Sequence, residues 1–254
     1  MKNLILLLLL LPMLGFSQTA TDYLMFEIGT IKVSPDKVAL VNSGMAAHNK
    51  KYHATGPYGA RVYNVVTGTD AGAYKWVMGP GTWSGLDARP SDELHDMDWD
   101  SKVDQYTSPG GNQEYIRFDP KLSRFPHDFT VNKLFVRYVD VARGKMEAVK
   151  AMFEKAHKVY AEKIPNETYG VYFNEVPSTS GGRDLILVSY FDKYAWMAMD
   201  DGFDAKYEEV YGKGSAAAFW NEWNANTLGM ESEIWEYNKD LSGLPAEIKA
   251  AERQ

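Results

Sequence analysis

The chain contains no cysteine, which excludes disulfides, thiolate metal sites and a lipid-anchored cysteine. A basic surplus is also missing. Lys and Arg number 27 against 34 Asp and Glu, a formal charge of -7, so the footprint for nucleic acid or anionic lipid is absent. Beyond the N-terminus no long apolar run occurs, so the mature chain is expected to make no stable membrane insertion. There is no phosphate-binding glycine loop, no dinucleotide fingerprint and no Gly-x-Ser-x-Gly elbow. No pair of carboxylates stands out for glycoside hydrolysis. Aromatic residues, by contrast, are plentiful: 7 Trp and 16 Tyr offer flat, polarisable surface for a core or a pocket.

Residues 1–17 read as a signal peptide. Lys2 is the basic start, Leu4 to Phe16 is apolar but short for a bilayer, and Gly15 and Ser17 are the small residues of a cleavage before Gln18. The expected location is therefore exported, periplasmic or secreted. The lack of cysteine in an exported chain points to a bacterial envelope.

The remaining chain carries one pattern twice. Val38, Val41, Met45, His48 and Tyr52 fall at steps of three and four. Met146, Val149, Phe153, Ala156 and Tyr160 repeat those steps 108 positions later. Such steps put each set on one face of a helix. Ser34-Pro35-Asp36 supplies a start for the first helix. Around the helices, alternating segments predict strands over 23–33, 58–67, 74–78 and 114–118, then 133–141, 168–176, 184–191 and 231–237. Helical stretches are predicted within 84–107 and over 195–228, the latter broken near Gly212–Gly214, and a loop at 108–111. Each half thus reads β-α-β-β-α-β. Further matches keep the same order: Asn64 with Asn174, Trp83 with Trp196, Trp99 with Trp223, and Leu122-Ser123 with Leu241-Ser242.

This order is the ferredoxin-like split motif, whose sheet has helices on one face and needs cover on the other. The expected fold class is α+β: two tandem ferredoxin-like modules packed sheet to sheet as a pseudo-symmetric α+β barrel. The first module covers 19–123, a linker 124–132, the second module 133–243, and a loosely held polar tail 244–254. The pattern resembles the dimeric α+β barrel superfamily in a fused, two-module form. That group includes antibiotic-biosynthesis-type and haem-degrading monooxygenases, stress-responsive barrel proteins and NIPSNAP-like proteins. The resemblance rests on element order and internal repetition. It implies architecture, and a chain that closes its own barrel as a monomer or pairs as a homodimer.

His48 is the candidate catalytic residue. Ala156 takes its place in the second half, and a near-neutral imidazole on that stripe can act as base or haem ligand. The alternative is a partly buried histidine hydrogen-bonded to a neighbour, or one at the edge of the stripe. His53, five residues on, is expected to turn away from His48; no metal site is predicted from the pair. Tyr52, Asn64, Trp76, Trp83, Trp99 and His95 are candidate ligand-binding residues. His95 and Trp99 share a helix face, but Phe219 and Trp223 match them in the second half, which favours core packing. The acidic run Asp92, Glu93, Asp96, Asp98 and Asp100 lacks calcium-loop spacing and reads as a solvated face. Asn64 and Asn174 either orient a ligand or pair across the module interface.

Two functions stay open. One is an exported small-molecule-binding barrel, a cofactor-independent or haem-related monooxygenase-like enzyme acting on a small apolar, aromatic or polycyclic compound. No cofactor motif is expected, with haem conceivable as substrate or ligand. The other is a non-catalytic envelope or secreted interaction protein.

Overall fold

The computed structural model describes residues 23–89, 93–178 and 181–250; the expected signal peptide, and Asp92 of the acidic run, lie outside them. In the first half, β1 (Leu24–Val33), α1 (Val38–Tyr52), β2 (Ala60–Thr67) and β3 (Tyr74–Gly81) follow the predicted order. Two short helices come next, α2 (Trp83–Asp87) and α3 (Glu93–Lys102), and then β4 (Thr107–Phe118). The linker contains β5 (Phe129–Thr130). The second half is β6 (Lys133–Val141), α4 (Met146–Lys163), β7 (Tyr169–Asn174), β8 (Leu185–Phe191), α5 (Phe203–Tyr211), α6 (Ser215–Asn226) and β9 (Thr227–Tyr237). A last short strand, β10, spans Glu247–Ile248.

The sheet closes into an eight-stranded barrel in the order β1-β3-β2-β9-β6-β8-β7-β4. Each half contributes four antiparallel strands in the same relative order, and the halves join edge to edge at β2·β9 and β4·β7. Edge pairing is more than the sheet-on-sheet packing expected, and it leaves no barrel edge open. The seams are reciprocal. Ser123 Oγ accepts from Val171 N and Ser242 Oγ accepts from Val62 N, each at 2.8 Å.

The barrel interior is filled from both halves. Ile28, Tyr63, Val65, Val136, Tyr138, Ile186 and Trp235 form its apolar core. Beside them lies an ion network: the fully buried Lys75 Nζ meets Asp70 Oδ2 at 2.6 Å and Thr30 Oγ1 at 2.9 Å, and Arg183 approaches Asp70 at 3.4 Å and Glu114 at 3.5 Å. Such pairing is what makes buried charge tolerable. The candidate histidines lie outside this packed interior, between sheet and helices. There Val41, Met45, Val62, Trp76, Met78 and Val103 form the layer under α1, and Val149, Phe153, Val171 and Leu185 form that under α4.

Three sequence expectations need correction. Residues 108–111 lie inside β4, as a bulge in which Pro109, Gly110 and Gly111 face the single Ile31 of β1, between the pairs Thr30–Asn112 and Lys32–Ser108. Ser34 does not cap α1: its hydroxyl meets Ser108 Oγ at 2.9 Å, and the helix starts at Val38. The tail is not loose over 244–250. Glu247 and Ile248 pair with Thr130 and Phe129, and Val131 N donates to Ala246 O at 2.9 Å. Linker and tail thus hold each other.

One glycine sets the helix arrangement. α3 packs on α1, and a Cβ on Gly44 would lie 2.0 Å from the backbone oxygen of Lys102, the last residue of α3. Only a residue without a side chain permits this approach. Gly44→Ala is expected to cost about 3 kcal/mol by overpacking, read as a lower urea midpoint with an unchanged slope.

Candidate functional site

Where α1 and α3 cross above β3, five of the seven candidate side chains meet. His48 is on the buried stripe of α1 and is 1% exposed. Its ring centroid lies 4.9 Å from Tyr52, 4.8 Å from His95 and 5.0 Å from Trp99. Trp76 comes up from β3, its ring 6.1 Å from Trp99 and its Nε1 donating to Asn49 Oδ1 at 3.0 Å. The helical period brings Tyr52 over His48, and the His95–Trp99 spacing presents one face of α3 to them.

His53 joins this group, against expectation. Helix α1 ends at Tyr52 and His53 is its C-cap, so the helical period no longer governs its direction. Its ring lies 5.2 Å from His48 and 5.0 Å from Trp76. The acidic run also departs from its solvated reading at one position. Asp98 Oδ2 accepts from His48 Nδ1 at 3.0 Å, while its other oxygen pairs with Lys102. No sequence signal distinguishes Asp98 from its acidic neighbours; only the α1–α3 crossing does.

Each imidazole has a partner on Nδ1. For His48 it is Asp98, for His53 the Tyr58 carbonyl at 2.6 Å, and for His95 the Asp96 carboxylate at 2.9 Å. An acceptor on Nδ1 fixes the tautomer that carries its proton there and leaves the lone pair on Nε2. His48 Nε2 is buried with no partner. The Nε2 atoms of His53 and His95 face each other at 3.3 Å. One ring nitrogen from each histidine lies within 4.8 Å of the others, a set able to hold a metal ion.

Burial lowers the pKa of His48, and the hydrogen bond to Asp98 only partly opposes it. Burial likewise takes His53 down to about 4, against the bond to the Tyr58 carbonyl. Burial would raise Asp98, but the bonds from Lys102 and His48 prevail and lower it. The site at neutral pH therefore holds an ionised Asp98 beside neutral His48 and His53.

Asn64 and Trp83 are elsewhere. Asn64 Oδ1 accepts from Asn238 Nδ2 at 3.2 Å across the β2·β9 seam, the pairing across the module interface that was the alternative to ligand binding. Asn174 instead holds its own hairpin, donating to Arg183 O at 2.9 Å. Trp83 stacks near Tyr115 at 4.8 Å and donates to Glu175 Oε2 at 3.0 Å, at the β4·β7 seam. A small cleft lined by Pro57, Tyr58, Met78, Thr82 and Leu86 adjoins the histidines only through Tyr58. In the second half the corresponding space is filled by Ala156, Phe219 and Trp223.

The chain matches no protein-family profile and no curated protein. Among solved structures, a proposed monooxygenase from Lactobacillus acidophilus is 11% identical, with a TM-score of 0.50 over 90% of this chain and 100% of its own. A second proposed monooxygenase, from Fusobacterium nucleatum, is 10% identical, with a TM-score of 0.52 over 89% of this chain and 98% of its own. A tryptophan-to-valine variant of chlorite dismutase from Candidatus Nitrospira defluvii is 9% identical, with a TM-score of 0.53 over 87% of this chain and 95% of its own. Among the described residues no helix is long and apolar enough to cross a membrane.

The pH dependence of stability follows from His53. With its folded pKa near 4 and its ordinary value 6.5, the unfolded chain takes up a proton across that window that the folded chain refuses. Stability is whole above pH 6.5 and falls as the pH drops toward 4. The expected loss is about 3 kcal/mol, read by urea unfolding across the window. His53→Gln reduces the dependence, leaving the part due to His48 and His157, whose burial also lowers their pKa values. By fold likeness the chain shares an α+β barrel architecture with these solved structures.

Proposed function

We propose that the protein is an exported, small-molecule-binding α+β barrel enzyme of the monooxygenase kind, acting at the His48 site on an aromatic or polycyclic compound. One observation carries this reading: a buried imidazole with its Nδ1 fixed by a carboxylate and its Nε2 unpartnered. A desolvated lone pair of this kind is poised to accept a proton or bind an electron-poor atom, because no water competes for it. Tyr52 and Trp99 pack directly against the His48 ring and Trp76 against Trp99, which keeps bulk water from the imidazole. The open side is toward His95, whose side chain is 25% exposed, and the adjoining Leu94 on α3. The fold of the solved structures described as monooxygenases agrees with this kind of activity. Export rests on residues 1–17 of the sequence.

Haem does not fit the site as a ligand of His48. Four rings enclose that imidazole at about 5 Å, so no face is left for a macrocycle. A non-catalytic interaction role is favoured by one feature, the exposed Met199, Leu228 and Met230 of the second half.

Oxygen uptake by the mature protein with a panel of polycyclic phenols separates the two. The enzyme reading expects turnover with at least one of them, and a loss of about 100-fold or more in His48→Gln, with the far-ultraviolet circular dichroism unchanged. Turnover that His48→Gln leaves intact would remove the histidine from the account.

A further inference from the structure

The contact between His53 and His95 is frustrated as it stands. The Tyr58 carbonyl takes the proton of His53 on Nδ1, and Asp96 takes that of His95 on Nδ1. In neutral rings both Nε2 atoms then carry lone pairs, yet they face each other at 3.3 Å. Two lone pairs at that distance repel unless a proton or a metal ion lies between them. His48 adds a third, buried and without a partner. We propose that His48, His53 and His95 form a three-imidazole centre for a divalent first-row transition-metal ion.

The chemistry of the surroundings is that of such a centre. Metal-bound histidines carry their second ring nitrogen on a carboxylate or a backbone carbonyl, which orients the ring and raises its basicity. All three imidazoles here have that outer partner: Asp98 and Asp96 of α3 for His48 and His95, and the Tyr58 carbonyl for His53. An ion held at about 2.0–2.1 Å by three nitrogens needs them roughly 3.0–3.4 Å apart. His53 and His95 already meet that spacing at 3.3 Å. With one ring nitrogen of each histidine within 4.8 Å of the others, the remaining edges of such a triangle close by a shift of about 1.5 Å. His95 on α3 can supply it, being the least enclosed of the three.

Neutral imidazole suits zinc, copper, iron, nickel and cobalt ions, and disfavours magnesium and calcium. Three protein ligands leave at least one position for water or for an oxygen atom of a substrate, the pattern of catalytic rather than structural ions. His48 then gives its lone pair to the ion instead of acting as the base. The inference deepens the reading of this site given above and rests on it for the site's chemistry, though not for the binding of the ion.

The test uses the mature full chain after dialysis against a chelator, titrated with Co2+ and followed by visible absorption and by isothermal calorimetry. The expected result is one ion per chain, with the intense visible bands of four- or five-coordinate cobalt, displaced by Zn2+. His53→Ala and His95→Ala each weaken binding by about 100-fold or more. His95 is a half-buried residue of α3, so its variant keeps the fold and makes the loss interpretable. Asp98→Asn weakens binding by about 10-fold or more through the orientation of His48. Absence of stoichiometric binding, or binding that both histidine variants retain, overturns the proposal. Oxygen uptake reports separately: a cobalt-binding chain without turnover sinks the monooxygenase reading alone, and turnover in a chain that binds no ion sinks the metal centre alone.

Discussion

The hydrogen bond from His48 to Asp98 ties α1 to α3, and the site depends on it. A buried bond to a charged group contributes about 1.5–3 kcal/mol. More is at stake than that energy. The carboxylate decides which nitrogen of His48 carries the proton, and so which one presents a lone pair. The bond forms because Gly44 lets the end of α3 come against α1. Asp98 is itself held on its other oxygen by Lys102. A backbone clearance, a carboxylate and a lysine one helical turn away thus fix one imidazole, and the other two histidines assemble around it.

The barrel explains why the site lies where it does. Its interior is closed by aromatic packing and a paired ion network, so the space between sheet and helices is what remains for chemistry. The two halves have the same strand order and reciprocal seam bonds, yet the three-histidine cluster lies in the first. In the second, Ala156, Phe219 and Trp223 complete an apolar layer under α5 and α6. The architecture is therefore symmetric and the chemistry is not. Apolar packing satisfies a helix–sheet layer by itself, whereas a polar cluster there persists only with every group partnered or ligated.

The sequence made much of this legible, for identifiable reasons. Periodicity places Val41, Met45, His48 and Tyr52 on one buried face, because a regular helix repeats its geometry. Alternation and repetition give the strand order of the halves, since each element must bury one face. His53 is not legible from helical spacing, because it lies one residue past the end of the helix. Asp98 escaped because one carboxylate in a run of five acidic residues differs from the rest only in what lies opposite. The match of His95 with Phe219 pointed to packing, although corresponding positions in similar halves need not share chemistry. Asn64 and Trp83 were drawn into the site because their residue types suit ligands; they sit at the seams, which no local pattern reveals.

The most direct measurement is the tautomer of His48 in the metal-free chain, from long-range proton–nitrogen correlation spectra of the nitrogen-15-labelled protein at neutral pH. The account predicts a neutral ring with its proton on Nδ1 and an unprotonated Nε2, the pattern reversed or averaged in Asp98→Asn. A proton on Nε2, or a fully charged imidazolium, would contradict it, because the lone pair at the centre of the site would then be missing.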